Sequence, residues 1–144
     1  MVKVVLDTNI LISAFLWSKK VRKAILPLLE KKKILVCFSQ ETIEEFIEVL
    51  SRKEFAPKFV NAGTNTEKLV GELLARENVV VIKDPMVGSI KPIVEKDPSD
   101  DKFLYLAAEA KAEYIVSGDK HLLALEEFKG IKIVSVDEFL SLIN

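Results

Sequence analysis

Val2-Lys3-Val4-Val5-Leu6-Asp7-Thr8-Asn9 decides how the rest of the chain is read. Val2 to Leu6 is a short β-branched apolar run, as expected of a strand buried in a sheet. It ends in Asp-Thr-Asn, and Ile10 to Phe15 then reads as helical. Similar apolar runs recur at Ile34–Phe38, Val79–Ile82, Tyr114–Ser117 and Ile131–Val134. The segments between them carry helical spacing. Ala24, Ile25, Leu28 and Leu29 share one face of Val21–Leu29. Ser39 is an N-cap for a helix through Leu50, with Ile43, Phe46, Ile47 and Leu50 on one face. Thr64-Asn65-Thr66-Glu67 has a capping-box pattern and opens a helix to about Glu77. Asp101 to Ala110 and a short segment after Gly118-Asp119 are helical, and Ser135-Val136-Asp137-Glu138 caps a final helix. Apolar strands alternating with amphipathic helices predict an α/β fold, a parallel sheet covered on both faces.

The 144 residues suit one domain spanning 1–144. The chain is 49% hydrophobic and 30% charged, with five Gly and five Pro, a globular composition. One cysteine forms no internal disulfide, and one cysteine plus one histidine cannot build a tetrahedral zinc site. Cys37, inside a strand, reads as a small core residue. A Ser-His-Asp triad would have to use His121. No apolar stretch approaches the roughly 20 residues of a membrane span. Without a signal-peptide layout at Met1, the expected location is cytoplasmic.

Charge is uneven although the net is −1. Residues 1–60 hold 11 Lys/Arg against 7 Asp/Glu, and residues 61–144 hold 10 against 15. Lys19-Lys20-Val21-Arg22-Lys23 and Lys31-Lys32-Lys33 are basic clusters that can attract phosphate or simply be solvated. Trp17, beside the first, is either a base-stacking residue or a helix-end residue. Pro85, Gly88, Pro92 and Pro98 mark residues 83–98 as a long loop, and such loops are usually functional or mobile.

Ligands of open parallel sheets bind at the carboxyl ends of the strands. Acids recur there: Asp7 after the first strand, Glu45 on the helix after the second, Asp100 and Asp101 after the long loop, Asp119 after the fourth strand. Each alone can be a helix cap. Gathered at one sheet end, they repel one another unless protons or a cation neutralise them. Oxygen ligands suit Mg²⁺ or Mn²⁺.

Four segments resemble the PIN domain family: Val-Val-Leu-Asp7-Thr8-Asn9, Ser39-x5-Glu45, Asp97-Pro98-Ser99-Asp100-Asp101-Lys102-Phe103-Leu104, and Ile115-Val116-Ser117-Gly118-Asp119-Lys120. They span nearly the whole chain in the family's order. The resemblance implies a three-layer α/β/α sandwich with a central, roughly five-stranded parallel sheet. It also implies a Mg²⁺- or Mn²⁺-dependent endoribonuclease. Its metal-binding acids fall on Asp7, Glu45, Asp101 and Asp119, with Thr8, Asn9 and Ser117 as supporting polar residues. Asp101 keeps Leu104 and Ala108 in phase as a buried face and is the preferred inner ligand. Asp100 stays open as a further ligand, and Asp97 reads as shaping the turn before Pro98. Small members of the family are often toxins paired with an antitoxin protein, and often homodimers. Helix 66–77 and the segment near Phe55 and Phe59 are the expected dimer surface. Lys102 and Lys120, beside acids of the site, and Lys19, Lys20, Arg22 and Lys23 are the expected RNA contacts.

A haloacid-dehalogenase-like phosphatase is an alternative, using Asp7, Ser39 and Gly118-Asp119. Its Asp-x-Asp motif needs an acid where Asn9 stands, and Asn9 cannot supply a proton. A phosphorelay receiver domain would carry an acidic pair near its first strand, and this chain has none before Asp7. A PIN-fold module that binds RNA or acts as a scaffold without cutting is the alternative from another class.

Overall fold

In a computed structural model of the chain, residues 1–83 and 100–143 are described. The first strand, β1 (Val2–Leu6), leads into α1 (Thr8–Ile12), which continues as a π-helical turn over Ser13–Trp17. Then come α2 (Lys19–Glu30), β2 (Ile34–Ser39) and α3 (Gln40–Leu50). A 3₁₀ turn at Lys53–Phe55 precedes α4 (Ala56–Ala62), α5 (Thr66–Leu74) and β3 (Val79–Ile82). The second half holds α6 (Asp101–Ala110), β4 (Tyr114–Val116), α7 (Lys120–Leu123), β5 (Glu127–Phe128), β6 (Ile131–Val134) and α8 (Val136–Ile143). The long loop expected over 83–98, past Lys83, and Asp97 lie outside the described residues.

The strands form one sheet in the order β3-β2-β1-β4-β6-β5. Its pairings are parallel except β5 with β6. The expectation of roughly five parallel strands thus gains a sixth, a two-residue antiparallel edge strand. β5 was missed because Glu127-Phe128 has no apolar run to announce it.

Side chains leave a strand on alternate faces, and here each face has its own core. Val4 and Leu6 of β1, with Ile34, Val36 and Phe38 of β2, join Ile25, Phe46 and Phe139 on one side. Val5, Cys37 and Ile115 join Leu104, Ala107 and Leu122 on the other. The layers are therefore α1, α2, α3, α4, α5 and α8 on one face and α6 and α7 on the opposite face. Burial pushes the pKa of the Cys37 thiol up, which leaves it an inert core residue. Phe55 and Phe59 are each 6% exposed and Leu73 is 2% exposed. These three side chains of the expected dimer surface are buried within the chain, whereas Val60 and Leu74 of the same segments are exposed.

The caps locate the helices. The Ser39 hydroxyl accepts from the Thr42 N–H at 3.2 Å, and Thr42 Oγ1 accepts from the Ser39 N–H at 2.9 Å. Asn65, not Thr64, caps α5, accepting from the Lys68 N–H at 2.9 Å. The helix ends at Leu74, short of Glu77. The π-helical turn ends on carbonyls that need donors, and Arg22 supplies them: Nε to Ala14 O and Nη2 to Phe15 O, both at 3.2 Å. Arg22→Ala is expected to cost about 1–2 kcal/mol, read as a Tm lower by about 2–8 °C.

Among the described residues, no helix is long and apolar enough to cross a membrane.

Candidate active site

The chain crosses from the β2–β3 side of the sheet to the β4–β6 side, so the strand order reverses between β1 and β4. Crevices at such reversals are where α/β sheets bind ligands. Asp7 stands there, at the end of β1 and the start of α1. It is 4% exposed. Its Oδ1 caps α1, accepting from the Ile10 N–H at 2.8 Å, and its Oδ2 accepts a short hydrogen bond from the Ser117 hydroxyl. Burial raises its pKa above the ordinary 3.8; the hydrogen bonds from Ser117, Ile10 and Gly118 oppose that rise, and the nearby Asp119 charge adds to it.

Asp119 caps α7. Its Oδ1 accepts from the His121 N–H at 2.7 Å and the Leu122 N–H at 3.3 Å, and its own N–H donates to Ser117 Oγ at 2.9 Å. Ser117 thereby ties Asp7 and Asp119 together. His121 Nδ1 lies 3.8 Å from Asp119 Oδ1, a loose contact at the edge of the site. Glu45 reaches in from α3, on the β2 side. Thr8 Oγ1 donates to Glu45 Oε2 at 2.6 Å, and Lys102 Nζ lies 3.2 Å from Oε1. The Lys102 side chain is only 12% exposed. It balances the charge of an acid inside the site.

These groups share a cavity of about 170 Å³. Asp7, Thr8, Asn9, Glu45 and Asp119 line it, together with Asp100, Phe103, Val49 and Arg52. Asp101, preferred from the sequence, is not among its lining residues. It is buried at the start of α6 on the side of Leu104, and Asp100 is the acid that faces the cavity. Arg52 escaped the sequence reading. It stands in extended backbone just past the end of α3, where helical spacing from Glu45 gives no guide.

The donors are oxygen atoms of carboxylates, a hydroxyl and an amide, which suits a hard cation such as Mg²⁺ or Mn²⁺. Among the described residues, no three His, Cys, Asp or Glu side chains are gathered into a metal-holding group. Glu45 is drawn to Lys102 and Asp7 to Ser117, so the carboxylates share the cavity without converging on one point. The donor chemistry fits the ion.

The other basic residues named from the sequence do not line the cavity. Lys19, Lys20 and Lys23 are exposed on the first turns of α2, and Lys120 is exposed at the start of α7. Lys20 pairs with Asp137 at 3.3 Å, with both side chains largely exposed. Arg22 is engaged on the carbonyls of the π-helical turn.

A family model described as PIN domain matches residues 3–121. The chain is similar to the uncharacterized protein MJ1680 of Methanocaldococcus jannaschii, 33% identical over 136 residues, covering 94% of this chain and 83% of that protein. It also resembles the crystal structure of PAE2754 from Pyrobaculum aerophilum, with a TM-score of 0.57 and 18% identity, covering 99% of this chain and 89% of that one. At that identity the likeness speaks to the fold.

Proposed function

From the premise that this chain belongs to the PIN domain family, whose members are generally nucleases, we propose that it is a divalent-metal-dependent endoribonuclease hydrolysing RNA phosphodiester bonds. The observation that carries this reading is the set of four acids, Asp7, Glu45, Asp100 and Asp119, around one small cavity at the carboxyl ends of the strands. A bound Mg²⁺ or Mn²⁺ supplies an acidified water and positive charge beside the phosphoryl oxygens.

The chain's residues have definite tasks in this scheme. Asp7, Asp100 and Asp119, which line the cavity without converging on one point, would hold the ion once its charge drew them together. The Ser117 hydroxyl and the Ile10 N–H fix the Asp7 carboxylate, as outer partners of metal ligands do. Glu45 orients water, and Thr8 fixes the angle at which it does so. Lys102, 3.2 Å from the other Glu45 oxygen, holds that carboxylate in place. Arg52, exposed where the cavity opens, is placed to take a phosphate oxygen.

Incubation with single-stranded RNA tests the reading. Cleavage is expected with Mg²⁺ or Mn²⁺ and is expected to fall by more than about 100-fold in excess chelator, returning when metal is restored. Full activity in chelator would sink the carboxylate mechanism. RNA binding without cleavage under any divalent ion would point to the non-cutting module.

A further inference from the structure

Trp17, the chain's one tryptophan, is 58% exposed. Tryptophan is highly buried on average, and this one is held in place. Its ring meets Phe55 edge-on, with centroids 5.5 Å apart and planes at 63°. Lys58 Nζ lies 4.9 Å from the indole centroid. Phe55 is itself 6% exposed, so the indole leans on a fixed part of the core.

This platform is joined to the acidic cavity by short stretches of rigid backbone. The Phe55 N–H donates to Arg52 O at 3.0 Å, and Arg52 lines the cavity. On the other side, Trp17 ends the helical segment that Thr8 begins, also at the cavity. Nine residues separate them, roughly 14 Å at about 1.5 Å per residue. The sequence flanking both halves of the platform is mostly positive. Residues 52–58 hold Arg52, Lys53 and Lys58 against Glu54, and residues 18–23 hold four cations and no acid. A half-exposed aromatic ring with a cation over it, a short way from an acidic cavity, is how proteins hold single-stranded nucleic acid: bases stack and phosphates pair.

We propose that Trp17, with Lys58 and Arg52, forms a subsite that stacks a base of single-stranded RNA next to the nucleotide in the acidic cavity. This rests on the nuclease reading for the choice of RNA as the polymer. Arg52 takes the phosphate between cavity and platform, Trp17 stacks the base, and Lys58 meets the phosphate beyond it.

The tryptophan reports on itself. The full chain is titrated with a short oligouridylate, and with the same strand made abasic, in low salt and chelator so that nothing is cut. Oligouridylate is expected to quench the indole fluorescence and the abasic strand to leave it unchanged. Trp17→Ala is expected to weaken oligouridylate binding by about 5- to 150-fold, with little effect on the abasic strand. Trp17→Phe keeps most of the affinity. If Trp17→Ala fails to fold, the native quenching and Trp17→Phe carry the test. Absent binding by the native chain, equal quenching by both strands, or undiminished affinity in Trp17→Ala overturns the subsite. So does sedimentation in which Trp17→Ala abolishes self-association while RNA affinity stays unchanged, for the face is then a contact between copies. Binding is read without metal. A chain that quenches but never cuts keeps the subsite and loses the nuclease reading; one that cuts without quenching does the reverse.

Discussion

Asp7→Asn is expected to lose more than about 100-fold in RNA cleavage and yet to melt higher than the native chain. Loss of a group that merely orients a ligand costs about 10–100-fold, and Asp7 is proposed as a ligand itself. The stability change has the opposite sign because a buried carboxylate must ionise against desolvation. Asn keeps the shape of the side chain. Its oxygen can accept from the Ile10 N–H, and its amide can donate to Ser117. The raised pKa of Asp7 fixes the pH dependence. Below the ordinary carboxylate range Asp7 is neutral in both folded and unfolded chains and costs nothing. As pH rises through its folded pKa that stability is lost. The advantage of Asp7→Asn in metal-free buffer should therefore be small in acid, grow with pH, and level off near about 0.5–2 kcal/mol. Paired thermal melts from acid to neutral pH check this. An Asn variant less stable than native at neutral pH would show that the hydrogen bonds, and not the charge, decide.

The pair Asp100→Asn and Asp101→Asn is expected to divide activity from stability. Asp100 faces the cavity, so its amide variant should lower cleavage by about 10–100-fold or more with little change in Tm. Asp101 is buried in the first turn of α6, where a negative charge is worth about 0.3–1 kcal/mol against the helix dipole. Its variant should lower Tm by a few degrees and leave most cleavage. Rates at saturating Mn²⁺, with melts on the same samples, separate the two. The reverse result would return the ligand role to Asp101.

Those two aspartates show what the sequence could and could not tell. Phase along the helix correctly put Asp101 on the same side as Leu104. But that side packs into the protein, and a cavity at a helix N-terminus is served by the residue at the cap. The apolar runs at Val2, Ile34, Val79, Tyr114 and Ile131 were legible because buried parallel strands admit little else. Ser39 was legible as a cap because its hydroxyl completes a turn with Thr42. Glu127-Phe128 was not, since its strand character comes from pairing with Ile131 and Lys132. Arg22 looked like a surface cation until the carbonyls of a π-helical turn claimed it, and nothing in Ser13–Trp17 announces that the turn is wide. The partner of Lys102 was not legible, because Glu45 lies 57 positions earlier and only the fold brings the two together.

The Ser117–Asp7 hydrogen bond joins residues 110 positions apart. It also sets an order in time. On a ribosome adding about 5–20 residues per second, roughly 5–20 s pass between the two residues. During that interval β1 can pair with β2, but its other edge has no β4 to meet. Contacts this distant in sequence also form slowly once the chain is available. Asp119, 112 positions after Asp7, comes later still. The acidic cavity thus closes among the last features of the fold. A nascent chain carries the half that holds Asp7 and Glu45 well before it gains the half that holds Asp100, Ser117 and Asp119, so the proposed cutting site is incomplete until the two halves meet.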